Sequence, residues 1–254
     1  MSYFAVCPAC NNPIRIISLY VDKSLDENGN KMPLHARHYK KDVKNLVRYE
    51  QERYDSCPLS NFHSFSQSEK RENKERRNEI IALIKTYPEI LYNYIRIITK
   101  IKFSDAKFDE MLDNFMKSEG YYYVYLNKFN LPYSFLNMQK SVNIYFQTID
   151  NDKYSKDMIN SINQSKYFTV NRYNRIEKKV KEYATIELYL ANHKKYSDDK
   201  EVIELNIIEK SYKDKVESII YKRSIEVNKT KFINIINKYK RLREIADKHI
   251  KYLR

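Results

Sequence analysis

The chain lacks much of what catalytic and secreted proteins rely on. It has two glycines, no tryptophan and three cysteines among 254 residues. With only Gly29 and Gly120, no glycine-rich loop can cradle a nucleotide phosphate, which excludes P-loop and dinucleotide-binding chemistry. No nucleophile elbow, HExxH motif or recognisable carboxylate pair occurs. No succession of charged, apolar and small residues marks a signal peptide. The most apolar run, Ile90 to Ile101, carries Asn93, Arg96 and Lys100 and is too short to cross a bilayer. These absences favour a cytoplasmic, non-enzymatic protein that does not enter a membrane. In a reducing compartment, three cysteines do not serve as a disulfide scaffold.

What is present suffices for a folded chain. Hydrophobic residues make up 42% and charged residues 31%, and Ile, Leu, Tyr and Phe recur throughout, so a core can form. The net charge is +14, which points to a polyanionic partner, either nucleic acid or an acidic protein surface. A composition rich in Lys, Asn, Ile and Tyr is also what an AT-rich genome writes without selection for binding, so the position of the charge counts for more than its total. Residues 1–65 hold 9 basic and 7 acidic side chains, residues 66–165 hold 15 and 13, and residues 166–254 hold 23 and 13. The excess sits in the last third.

The first 65 residues differ from the rest. They contain all three cysteines, three of the five histidines and four of the six prolines. Cys7-Pro8-Ala9-Cys10 is the sharpest feature, because two thiolates separated by two residues can face one tetrahedral ion from a tight turn. Cys57-Pro58 repeats the Cys-Pro dipeptide and offers a third thiol. The preferred ligand set for a structural Zn2+ is Cys7, Cys10, His38 and Cys57; His35 and His63 remain alternatives that spacing alone does not separate from His38. A redox role for the Cys-x-x-Cys pair lacks the surrounding βαβ pattern. Ile14 to Val21, bounded by Pro13 and the turn at Asp26 to Gly29, reads as a strand, and Asp42 to Tyr54 as a short helix.

The remainder reads as helical, giving a mainly α fold: a small zinc-binding module with short β and α elements at 1–65, a helical domain at 66–165, and a basic helical hairpin or bundle at 166–254. Ser66 and Glu69 form a capping box ahead of a charged stretch, Lys70 to Asn78. Pro88 opens a helix to about Ile101, Asp105 to Glu119 makes another ended by Gly120, and Pro132 opens a third that runs from about Tyr133 to Ile149. Tyr121 to Leu126 is ambiguous between strand and helix, and Asp150 to Ser165 is loop or short helix. From Tyr167 onward three apolar stripes suggest long helices: Ile176, Val180, Tyr183, Ile186 and Leu190; then Val202, Leu205, Ile208, Tyr212, Val216 and Ile219; then Phe232, Ile235, Tyr239, Leu242 and Ile245.

Around the last stripe stand Lys238, Lys240, Arg241, Arg243, Lys248, Lys251 and Arg254, a candidate phosphate-tracking set. The favoured reading is therefore a non-enzymatic, zinc-containing nucleic-acid-binding protein. A second is a protein-binding module or inhibitor that docks on a nucleic-acid-processing machine. A third, a metal-dependent nuclease using His35 and His38, finds no supporting carboxylate spacing.

Overall fold

The computed structural model describes residues 3–19, 34–55, 57–60, 74–123, 126–197, 200–213 and 215–250. The chain divides into two compact units, Met1–His63 and Ser64–Arg254.

In the first unit, strands β1 (Tyr3–Val6), β2 (Pro13–Ile17) and β3 (His35–His38) form an antiparallel sheet in that order. The β1–β2 hairpin closes with Val6 opposite Pro13, so its loop is the Cys7-to-Asn12 segment. Helix α1 (Gln51–Asp55) is a single short turn. The helix expected from Asp42 is absent over Val43–Val47, where an antiparallel bridge joins those two valines. The cause is local: Asn45 adopts a φ of 62°, and the Asp42 carboxylate accepts the Tyr49 backbone N–H. Such short polar side chains offer the backbone an alternative to helical bonding.

The second unit begins with α2 (Lys74–Thr86) and α3 (Pro88–Thr99), followed by β4 (Ile101–Lys102) and α4 (Asp105–Lys117). Helix α4 starts at Ser104, whose hydroxyl accepts the Lys107 N–H. Glu119, not Gly120, takes the left-handed conformation after it. Gly120 opens the 3-10 turn Gly120–Tyr122, and it must be glycine for a packing reason, since a Cβ there would lie 2.5 Å from the Phe115 ring. Then come α5 (Leu131–Met138), β5 (Val142–Asn143), β6 (Thr148–Ile149), α6 (Lys156–Gln164), β7 (Phe168–Val170), β8 (Ile176–Lys178), β9 (Ala184–Ser197), β10 (Lys200–Ser211), β11 (Val216–Glu226) and α7 (Lys231–Ile250).

The mainly α expectation fails here. The stretch read as two long helices forms a long antiparallel sheet in the order β11-β10-β9-β5, and the protein is mixed α/β. Along β9 the buried residues are Ala184, Ile186, Leu188 and Leu190, alternating with half-buried Thr185, Glu187 and Tyr189; that is the two-residue period of a strand. Strand β10 is central, and Ile203, Leu205, Ile207 and Ile208 on it are all buried. An apolar run covered on both faces satisfies spacings of three, four and two alike, which is how it mimicked a helical stripe. The density of β-branched residues was the signal favouring a strand. The helix expected over Tyr133 to Ile149 stops at Met138 for the same reason, since β5 and β6 pair with β9 and β4.

Packing follows from this arrangement. Helix α5 lies against β9 and α6 against β11, while α3 packs on α5 and α7. One apolar core runs from Ile80 to Ile236 and includes the fully buried rings of Tyr94, Phe103, Phe115, Phe135, Phe168 and Phe232. Each such side chain contributes about 1.5–3 kcal/mol of transfer free energy. Among the described residues, no helix is long and apolar enough to cross a membrane.

Candidate metal centre

The β1–β2 loop builds the first half of the site. The Cys7 N–H donates to the Asn12 carbonyl at 2.8 Å and the Asn11 N–H to the Cys7 carbonyl at 3.0 Å, folding the loop back on itself. Asn11 supplies the left-handed residue this requires, with φ at 57°, a conformation that asparagine tolerates. Cys7 and Cys10 are thereby both turned inward and buried. A second turn, in which the Ser60 N–H donates to the Cys57 carbonyl, presents Cys57, fully buried. His38 arrives from the end of β3, in register with Ile14.

The four side chains converge. One ligand atom from each of Cys7, Cys10, His38 and Cys57 lies within 4.8 Å of every other. Cys7 Sγ and Cys57 Sγ are 3.8 Å apart, and His38 Nε2 is 3.2 Å from Cys10 Sγ and 3.6 Å from Cys57 Sγ. Metal–sulfur bonds of about 2.3 Å and a metal–nitrogen bond of about 2.0 Å at tetrahedral angles would set sulfurs about 3.8 Å apart and sulfur and nitrogen about 3.5 Å apart. The Cys7–Cys57 edge and the two from His38 to Cys10 and Cys57 are close to those sizes. The cysteines are free thiols, and the group could hold a metal ion.

The protons on these thiols are unevenly placed. The hydrogen bond from Cys57 holds Cys7 low, at about 3, against the burial that opposes it. Giving that bond, together with burial, pushes Cys57 up, and burial is the main reason Cys10 is raised. A second and third thiolate would face the first where little water reaches. A divalent cation resolves the conflict, because the thiolate is the form that binds metal.

The other histidine candidates separate on simple grounds. His35 and His38 are three residues apart on one strand, so the pleat sends them to opposite faces. His63 lies outside the described residues. A supporting residue that the sequence did not flag is Asn12. It is fully buried, its carboxamide donates to the Glu50 carbonyl at 2.9 Å and accepts the Glu50 N–H at 2.7 Å. That paired contact ties the Cys7–Cys10 loop to the segment leading toward Cys57. His38 is further set by an edge-on contact with Tyr54, ring centres 5.3 Å apart.

Comparison with protein-family models, curated proteins and solved structures finds no match.

The basic residues singled out near the C-terminus fall on α7, where Lys238, Lys240, Arg241, Arg243 and Lys248 are all exposed. Lys251 and Arg254 lie outside the described residues. Helix α7 buries only Phe232 and Ile236, and every residue from Asn237 to Ile250 is exposed. Among the described residues, none of those five cations is ion-paired. The sheet and the turn after it behave otherwise: Lys210 pairs with Glu187 and Lys222 with Glu204 in the sheet, and Lys229 of the turn with Glu201. The cations do not share one face of α7; they surround its apolar stripe. The tyrosines Tyr121 and Tyr123 are half-buried and pack on the core, while Tyr125 lies outside the described residues.

Proposed function

We propose that the protein is a non-enzymatic nucleic-acid-binding protein whose Met1–His63 unit is clipped by a structural zinc ion. Three thiolates and an imidazole form the soft donor set that zinc takes, and four protein ligands complete a tetrahedron without an open position for water. That closure supports a scaffold role over a nuclease. Elemental analysis of purified protein is expected to give about one zinc per chain; a Cys10→Ser variant that keeps both metal and fold would count against these ligands.

The observation that carries the nucleic-acid reading is the set of exposed cations on α7 that form no ion pair among the described residues. Phosphate contacts release counterions, so each is expected to steepen the fall of affinity with salt by about 0.9 in a log–log plot for duplex DNA. A mobility-shift titration in increasing salt tests this, and Lys240→Ala or Arg241→Ala should each lower the slope by about 1. A second reading is favoured by one feature of the same helix. Tyr239, Leu242 and Ile250 are 44%, 51% and 57% exposed at spacings that place them on one stripe, which suits an acidic protein surface with an apolar centre. Failure to shift any DNA or RNA at low salt would favour that partner.

A further inference from the structure

Away from α7, the second unit carries another surface with distinct chemistry. Tyr145, Phe146, Tyr183 and Tyr212 are between 40% and 66% exposed, although rings of this size are normally drawn into a core. They are not scattered. Tyr183 and Tyr212 flank the paired ends of β9 and β10, with the Tyr212 N–H donating to the Tyr183 carbonyl, and their ring centres are 4.8 Å apart. Lys178, at the end of β8, bridges onward: its Nζ is 5.6 Å from the Tyr183 ring and 5.7 Å from the Tyr145 ring. Tyr145 and Phe146 are neighbours at 5.9 Å, and Arg175 Cζ sits 4.5 Å from the Phe146 ring. The result is a continuous strip of rings and cations, drawn from four separate segments of the chain.

Its backbone holds the rings outward. The Tyr145 N–H donates to the Asn143 carboxamide and the Phe146 N–H to the Ile176 carbonyl at 3.0 Å. Phe146 has a φ of 66°, a left-handed conformation that costs a bulky residue on the order of 1–3 kcal/mol and recurs where side chains serve a ligand. Of the nearby carboxylates, Glu182 is paired with Lys213 at 2.8 Å, while Glu177 keeps its charge, accepting from the neutral Asn171 amide at 2.6 Å, and is outnumbered by Lys178 and Arg175. The net electrostatic character of the strip is thus positive.

Exposed π-faces interleaved with cations match a polyanion that also offers flat apolar faces. Unpaired nucleotides have both, with bases to stack on rings and phosphates to meet Lys178 and Arg175. A duplex keeps its base faces internal and could use only the cations. We propose that this strip binds single-stranded nucleic acid by stacking bases on Tyr183, Tyr212 and Tyr145. The proposal rests on the nucleic-acid reading above and adds the form of the ligand and a second contact surface.

The test is fluorescence anisotropy of the full chain with labelled oligo-dT, oligo-rU and a hairpin duplex. The variants are Tyr145→Ala/Tyr183→Ala, Tyr145→Phe/Tyr183→Phe and Lys240→Ala/Arg241→Ala, each checked by thermal melting. The double alanine variant is expected to weaken single-strand binding by about tenfold or more, to leave duplex binding unchanged, and to be rescued by the phenylalanine pair. The α7 variant should weaken both ligands. Single-strand affinity unmoved by the alanine pair, or lost equally in the phenylalanine pair, overturns the stacking proposal. Binding to duplex alone overturns it while sparing the nucleic-acid reading, and binding to none of the three probes overturns both. A preference between oligo-dT and oligo-rU, with the alanine pair weakening the preferred strand, supports stacking and identifies DNA or RNA as its source.

Discussion

Where Ser64–Arg254 has a continuous apolar core with six fully buried aromatic rings, Met1–His63 has three thiols. Among the described residues of the smaller unit, no aromatic or branched aliphatic side chain is buried; Ile14 and Leu59 only flank the cysteine cluster. Those described residues bury too little apolar surface to offset their chain entropy. On the proposed zinc reading the smaller unit's shape depends on the cysteine cluster, whereas the larger unit is held by ordinary burial. On that reading one chain uses two unlike sources of stability, and each is expected to be removable without the other.

The sharpest way to break the contrast is to withdraw metal. Chelation is expected to abolish hydrogen-exchange protection at the amides of β1, β2 and β3 while those of β9, β10 and β11 stay protected. The effect is large, since structural zinc supplies on the order of 10–16 kcal/mol of apparent binding free energy. Unchanged protection in the small sheet would mean that it stands without an ion.

The converse perturbation is Ile207→Ala. Ile207 is fully buried on the central strand, so its truncation should cost about 2–5 kcal/mol in the chemical denaturation of the larger unit and leave metal content alone. A smaller intervention, Asn12→Ala, removes the paired contact with Glu50. It is expected to cost the small unit about 1–3 kcal/mol through the loss of two hydrogen bonds, read as faster metal loss to a chelator.

The smallest expected effect is a pH dependence confined to the larger unit. Burial raises the Glu201 carboxyl, but hydrogen bonds and charge from His193 and Lys229 outweigh it and leave the group below its ordinary value. His193 Nε2 is 2.7 Å from it and Lys229 Nζ 2.5 Å. With the folded value depressed, the stabilising contribution is complete above the unfolded carboxylate value of about 4.5 and is lost as pH falls through the folded one. Denaturation midpoints should drop less steeply on acidification in Glu201→Gln than in the unaltered protein; parallel curves would remove this triad from the stability account.

The residues of the candidate site were legible because ligand spacing is local. Cys7 and Cys10 are joined by one turn, and a third thiol in the same short segment has few other roles. The choice between His35 and His38 was not legible, because it depends on which face of a strand each occupies and hence on pairing with β2. Asn12 was hidden for a related reason: its partner is backbone, which leaves no residue type to recognise. In the larger unit, α3 and α4 could be read from Pro88 and the apolar spacing that follows. The strand β10 could not, because an Ile- and Leu-rich segment buried on both faces carries no single period. Strand β9 does alternate from Ala184 to Leu190, but a helical spacing drawn through Ile176, Val180, Tyr183, Ile186 and Leu190 concealed it. The aromatic strip was obscured with them, since Tyr183 and Tyr212 looked like members of helical stripes until the pairing of β9 with β10 set them side by side at the strand ends.

X-ray absorption at the zinc edge, on protein purified without added metal, addresses the thiol-centred unit most directly. The expected first shell is three sulfurs at about 2.3 Å and one nitrogen at about 2.0 Å. Absence of stoichiometric metal, or a shell made only of nitrogen and oxygen, would contradict it.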